Sequence, residues 1–127
     1  MTKNMAAFQR FVYLCRDNAI KTKMSRKEIV MQIQVLMRRL FPTAEVILYG
    51  SEARNEARPD SDIDLLILVD GDKLTMQQED AITTPLYELE LQTGVSISPI
   101  VMLKKQWYNR PMITPFYLNI KKEGIRL

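Results

Sequence analysis

The sequence has 127 residues and a formal net charge of +3, with 46% hydrophobic and 26% charged residues. This length suits one domain with a modest core, and the composition is ordinary for a soluble globular protein. No apolar run approaches the ~20 residues of a membrane-spanning helix, and the absence of histidine excludes a histidine base and a His-ligated metal.

Cysteine content and charge narrow the class of protein further. The only cysteine, Cys15, excludes an intrachain disulfide and a cysteine-based zinc cluster. No signal-peptide pattern is present, so we expect a cytoplasmic location. The weak positive charge gives no strong nucleic-acid footprint, so neither nucleic acid nor a membrane is the expected partner.

The N-terminal residues differ from the rest of the chain. Residues 1–24 are expected to be a flexible or peripheral extension, because they give only a weak helical pattern. Ser25 and Glu28 then form a capping box, which marks the N-terminus of a helix. The folded domain is therefore expected to span residues 25–127.

Hydrophobic periodicity predicts the first elements of this domain. Apolar residues at helical spacing predict a helix over about residues 26–40, which Pro42 ends. Stretches of β-branched and apolar residues predict three strands. These strands cover residues 44–49, 62–69 and 95–103.

A second long helix is predicted between the second and third strands. Thr75 and Gln78 form another capping box, and the helix extends to Gln92 with Gly94 as its stop. Pro85 lies inside this segment and is expected to kink or split the helix.

A short helix is predicted near the C-terminus, with Thr114 as N-cap, Pro115 at its first position and Gly124 after its last turn. Pro99 in the third strand indicates a sheet edge or a bulge, and such an edge is a candidate contact for a homodimer. The elements together predict an α/β (α+β) domain with a small mixed sheet of three or more strands flanked by helices.

Two aspartates lie at the start of the second predicted strand. Asp62 and Asp64 are expected on one face, about 7 Å apart along the strand, with Ile63 and Leu65 facing the core. Two carboxylates this close are costly unless a cation neutralises them, and such oxygen ligands suit Mg²⁺. The sequence therefore predicts a Mg²⁺ site here, and a solvated strand start paired with an arginine is the alternative.

A glycine-serine pair follows the first predicted strand and opens a helical turn. Gly50 lets the backbone approach a ligand, and the free N–H groups favour a phosphate, to which Ser51 adds a hydroxyl. Arg54 is placed to reach the same phosphates. The alternatives are an ordinary strand-to-helix turn and, for Arg54, a surface ion pair with Glu52 or Asp60.

The stretch GSEARNEARPDSDIDLLI resembles the signature of the minimal nucleotidyltransferases, small relatives of the DNA polymerase β superfamily. The likeness spans roughly residues 25–127 and implies the fold of that family. It implies Mg²⁺-dependent transfer of a nucleoside monophosphate from a nucleoside triphosphate, with ATP expected, to an acceptor hydroxyl. In that reaction Gly50 and Ser51 would hold the β- and γ-phosphates, while Asp62 and Asp64 would be the catalytic metal ligands.

The sequence departs from the family pattern at two places. Asn55 replaces the usual glycine, and asparagine tolerates a left-handed backbone. The family's third carboxylate belongs on the next strand, where this chain has Ser96 and Ser98, and serine does not replace a carboxylate as base or strong ligand. The acids considered as substitutes are Asp60, Glu88 and Glu90.

Three functions are compatible with these residues. The first is a nucleotidyltransferase whose acceptor is presented by a partner protein. The second is an antitoxin-type interaction module, because small members of the family often pair with an all-helical partner in toxin–antitoxin modules. The third is a catalytically silent nucleotide-binding module, because the third carboxylate is missing.

Overall fold

The computed structural model describes residues 24–127, so the predicted extension lies outside the described residues apart from Met24. No helix in this part of the chain is long and apolar enough to cross a membrane. The elements are α1 (Arg26–Leu40), β1 (Glu45–Tyr49), α2 (Gly50–Ala53), β2 (Ile63–Val69), α3 (Met76–Thr93), β3 (Ile97–Leu103), α4 (Lys104–Tyr108), α5 (Pro115–Glu123) and β4 (Ile125–Arg126).

The strands form one four-stranded mixed sheet in the order β3-β2-β1-β4. β1 is antiparallel to β2 and to β4, whereas β2 and β3 are parallel. The parallel pair requires a crossover connection, which α3 provides. The predicted mixed sheet flanked by helices is confirmed, with β4 as an additional short strand.

Local sequence signals define the ends of the two long helices. The Ser25 hydroxyl accepts from the N–H of Glu28, and the Thr75 hydroxyl accepts from the N–H of Gln78, each at 3.2 Å. Both capping boxes are complete, because each N3 side chain also bonds back to the N-cap N–H. The predicted starts of α1 and α3 are therefore confirmed.

Pro85 does not split α3, which is one helix from Met76 to Thr93. A proline at this position removes the N–H that would donate to the carbonyl of Ala81. Ala81 is exposed, so water can satisfy that carbonyl and the helix continues. Of the two expected outcomes, a kink or a split, the split is therefore wrong.

Two hydrophobic cores cover opposite faces of the sheet. The first core lies under α1 and α3 and includes the buried residues Ile29, Ile33, Ile63, Leu65, Ile67, Ile82, Leu86 and Leu89. The second core joins the sheet to α4 and α5 through Ile47, Leu66, Leu68, Trp107 and Ile120.

The alternation of side chains along β2 decides which core its acidic residue faces. Ile63 and Leu65 are fully buried in the first core, as the sequence predicts. Leu66 and Leu68 face the second core. Asp64 is in phase with this second pair, so its carboxylate lies on the face of the sheet that α5 covers.

Candidate functional site

Asp64 occupies the centre of the candidate site, with a neighbour on each adjoining strand. It is the cross-strand partner of Tyr49 in β1 and of Ser98 in β3. Partial burial and the nearby charge of Asp62 raise the pKa of Asp64, and the charge of Arg54 opposes this shift. A carboxylate in this situation gains from a cation, because a cation cancels the repulsion between the two acids.

Asp62 lies just before β2 and is exposed. Its Oδ2 accepts a hydrogen bond from the hydroxyl of Ser98 at 3.4 Å. Ser98 is also in register with Asp64, so one serine adjoins both aspartates. The structure thus brings together the two residues proposed as metal ligands.

Gly50 lies against the carboxylate of Asp64. Its φ is +77°, and a Cβ added to it would overlap with the Oδ2 of Asp64. No side chain caps α2 at this end, so its first N–H groups remain for solvent or a ligand. Ser51, in the first turn, is half-buried. The glycine-serine turn and the aspartate pair therefore form one continuous site.

Arg54 follows α2 and makes ion pairs that the sequence did not predict. Its Nε lies 3.1 Å from Glu56 Oε2, and its Nη1 lies 3.1 Å from both carboxylate oxygens of Glu123. The alternative of a surface ion pair is therefore right in kind but wrong in its partners, which are Glu56 and Glu123 rather than Glu52 or Asp60; Glu52 pairs with Arg26. Arg54 still acts electrostatically on Asp64, so it lies within reach of the site.

Arg26 is the partner of Glu52 and fixes the loop that leads to the aspartates. Its Nε contacts Glu52 Oε1 at 3.2 Å, and its Nη2 donates to the carbonyl of Ser61 at 2.6 Å. The loop also contains Asn55, whose φ of +59° is the left-handed conformation that the sequence anticipated. Arg26 thus ties the start of α1 to the residue before Asp62.

Three acids were candidates to replace the third carboxylate, and of these Asp60 lies exposed in the turn before β2. Glu90 belongs to α3, on the opposite face of the sheet, where its Oε1 accepts from the N–H of Ile97 at 2.8 Å. Glu88 is an exposed residue of the same helix. Within residues 24–127, no group of three or more metal-ligating side chains suits a metal ion. Two carboxylates fit a divalent ion whose other ligands are phosphate oxygens and water.

Tyr49 is a site residue that the sequence reasoning missed. It stands directly opposite Asp64, and its ring packs edge-on against Phe116 of α5, with centroids 5.5 Å apart. Burial, and then the charge of Asp64, raise the pKa of Tyr49. The phenol therefore keeps its proton at neutral pH and is available as a hydrogen-bond donor.

Comparison with known families identifies the class of protein that this fold and site define. A family model described as a nucleotidyltransferase domain matches residues 16–124. The chain therefore belongs to the nucleotidyltransferase domain family, which confirms the resemblance seen in the sequence. A comparison with curated proteins finds no match.

Two solved structures similar in fold to this chain are described as toxin–antitoxin structures. One, described as "the toxin-antitoxin with AMP-PNP", is 16% identical with a TM-score of 0.51, over 80% of this chain and 72% of that chain. Another, described as a mutant of the toxin-antitoxin MntA-HpeT, is 16% identical with a TM-score of 0.50, over 82% and 72%. At this identity the likeness establishes the fold alone.

Proposed function

We propose that this chain is a Mg²⁺-dependent nucleotidyltransferase that transfers a nucleoside monophosphate from ATP to an acceptor hydroxyl. The observation that carries this proposal is the close approach of Gly50 to the Asp64 carboxylate. A triphosphate at Gly50 and Ser51 would lie beside the metal ligands, Asp62 and Asp64. Membership of the nucleotidyltransferase domain family supports the same chemistry.

Each residue has a defined part in the proposed reaction. The backbone at Gly50 and the hydroxyl of Ser51 bind the β- and γ-phosphates, and Arg54 donates to the same phosphates. Asp62 and Asp64 would hold the cation, which would supply positive charge beside the attacking and leaving oxygens. The acceptor oxygen would bond to the α-phosphorus as the bond to pyrophosphate breaks, and the hydroxyl proton would pass to a basic group that the acceptor or its partner presents.

A second candidate, a catalytically silent nucleotide-binding module, is favoured by Ser98. This residue adjoins both aspartates, at Asp62 Oδ2 and in register with Asp64, yet a serine does not act as a base at neutral pH. Transfer would then depend on an acceptor or partner that takes up the proton. Without one, the chain would bind ATP and not turn it over.

We propose a partner protein as the source of the acceptor hydroxyl. Two solved structures similar in fold to this chain are described as toxin–antitoxin structures, one of them with AMP-PNP. An all-helical protein encoded beside this chain is the expected partner. The chain would act on it either by transfer or by binding alone, as an antitoxin.

The decisive experiment measures ATP affinity by calorimetry with and without Mg²⁺, then label transfer from α-³²P-ATP to the candidate partner. We expect Mg²⁺-dependent binding that Asp62→Asn weakens at least about tenfold, the loss of one charge-assisted contact. Unchanged affinity in this variant would refute the metal site. The variant Ser98→Asp distinguishes the two candidate functions. Label transfer by this variant but not by the unmodified protein would identify the unmodified chain as a catalytically silent nucleotide-binding module.

A further inference from the structure

The guanidinium of Arg54 is held at two of its three nitrogens. Glu56 accepts from Nε and both oxygens of Glu123 lie 3.1 Å from Nη1. Among the described residues, no hydrogen bond or ion pair involves Nη2. An arginine fixed in this way is a preorganised donor, because its remaining N–H groups are presented in a constant direction.

Glu123 is placed on a rigid part of the fold. It is the last residue of α5, and a Cβ on the next residue, Gly124, would lie 2.8 Å from Cγ2 of Ile47. The chain then pairs with β1 through Ile125, which is in register with Leu48. The end of α5 is thus seated against the central sheet, so the Glu123 carboxylate has a fixed origin.

Arg54, in contrast, has a side chain that needs an anchor. Its side chain is 43% exposed, whereas that of Glu123 is 22% exposed and that of Glu56 is 66% exposed. An exposed arginine samples many rotamers, and only a partner on the scaffold restricts them. Glu123 is the better-buried of the two carboxylates that contact Arg54, so it is the effective anchor.

The presence of a glutamate at position 123 is not explained by the stability of α5. An acidic residue in the last turn of a helix is unfavourable with respect to the helix dipole, whereas Lys121 and Lys122 are favourable there. Glu123 therefore stands at a position where the helix prefers a cation. Its contacts with Arg54 give it a different role.

We propose that Glu123 is a positioning residue of the nucleotide site, which holds Arg54 so that Nη2 faces the bound phosphates. This inference rests on the proposed function, because Arg54 needs a phosphate to act on. Glu123 contacts no ligand itself. Its effect passes entirely through Arg54, and this requirement makes the inference testable.

The test is a double-mutant cycle on Mg²⁺-ATP affinity with Arg54→Ala, Glu123→Gln and the double variant. Glu123→Gln keeps the size of the side chain and removes its charge. We expect it to weaken binding about three- to fivefold, the upper end of the range for a partly exposed ion pair. In the Arg54→Ala background the same change should have no effect.

A matched control is Glu88→Gln, the same substitution at an exposed position of α3. It should leave ATP affinity unchanged. Thermal unfolding of each variant reports whether the fold is retained, and Glu123→Asp keeps the charge at a shorter reach and should recover part of the affinity.

Three results would overturn the inference. The first is unchanged affinity in Glu123→Gln, and the second is tighter binding, which would mean that Glu123 competes with phosphate for Arg54. The third is an equal loss with and without Arg54. Failure of the proposed function is distinct, because the unmodified protein would then bind no ATP and both proposals would fall together.

Discussion

Gly50 and Asp64 approach each other so closely that no side chain fits on the glycine. The backbone at Gly50 has φ +77°, and a Cβ would overlap with Asp64 Oδ2. Gly94 has nearly the same backbone conformation, φ +73°, but a Cβ there would meet nothing within 4 Å. Substitutions at the two glycines therefore distinguish the free-energy cost of a left-handed backbone from the free-energy cost of steric overlap.

We predict that Gly50→Ala destabilises the protein more than Gly94→Ala does. Each change costs about 1–2 kcal/mol for a left-handed alanine, and Gly50→Ala must also displace the Asp64 carboxylate. Urea unfolding measures both variants, and ATP titration should show lost binding only for Gly50→Ala. Equal destabilisation by the two changes would contradict the close contact.

Asp64 makes the protein less stable when it is ionised. Burial and the charge of Asp62 raise its pKa above the ordinary value of 3.8, so the folded state holds the proton more strongly than the unfolded state. Below pH 3.8 both states are protonated and the penalty is absent. As pH rises through the raised folded pKa, the penalty grows to its full value.

We predict that Asp64→Asn raises the melting temperature of the metal-free protein at pH 7 and has no such effect near pH 3.5. The neutral amide removes the cost of burying a charge and, second, the repulsion from Asp62. Calorimetric unfolding at the two pH values measures this, with Asp60→Asn as an isosteric control in the exposed loop. A lower melting temperature at pH 7 would show that Asp64 is stabilising as an anion.

At the scale of elements, the sequence predicted the features that depend on residues close to one another in the chain. The capping boxes at Ser25 and Thr75 set the starts of α1 and α3, because each is a hydrogen-bonded unit of four residues. The aspartate pair and the glycine-serine turn are short motifs of the same kind. β4 was missed because two residues, Ile125 and Arg126, are too few to form a pattern.

The remaining parts of the site depend on contacts between distant segments. Tyr49 adjoins Asp64 through the register of β1 and β2, and Glu123 meets Arg54 across 69 positions of sequence. No local pattern encodes either contact. Gly124 is a related case, because its φ of −64° needs no glycine, but a Cβ there would lie 2.5 Å from the carbonyl oxygen of Ile120 and 2.8 Å from Cγ2 of Ile47.

Among the strands of residues 24–127, β3 lies at one edge of the sheet, and the outward side of β3 offers few N–H donors for the addition of another strand. The N–H of Ile63 donates to the carbonyl of Ser96, so the backbone groups of Ser96 point toward β2. Because the direction of these groups alternates along a strand, those of Ile97, Pro99, Val101 and Leu103 point away from β2. The outward N–H of Ile97 is taken by Glu90 and that of Leu103 by Gln106. Pro99 has none. A homodimer formed by extending the sheet at β3 is therefore disfavoured.

At the scale of the whole molecule, the two cores relate differently to the site. The first core contains Ile33 of α1 and lies on the face away from Asp64. The second core contains Ile120 of α5, the helix that also carries Phe116 and Glu123. Both isoleucines are buried, at 0% and 4% exposure respectively, so they form a matched pair for truncation.

We predict that Ile33→Ala and Ile120→Ala destabilise the protein similarly but affect nucleotide binding differently. Each change removes the same buried atoms and should cost about 2–5 kcal/mol. A cavity under α5 loosens the supports of Tyr49 and Arg54, so Ile120→Ala should also weaken Mg²⁺-ATP binding. Ile33→Ala should leave the affinity of the folded protein unchanged.

The measurement must separate affinity from the fraction of folded protein. Urea unfolding gives the stability of each variant, and calorimetric titration is then done at a temperature where both variants are folded. A weaker ATP affinity in Ile120→Ala alone would show that the packing of α5 in the second core affects the residues that bind phosphate. Equal losses in the two variants would mean that the site depends on general stability, and the special role of α5 would have to be abandoned.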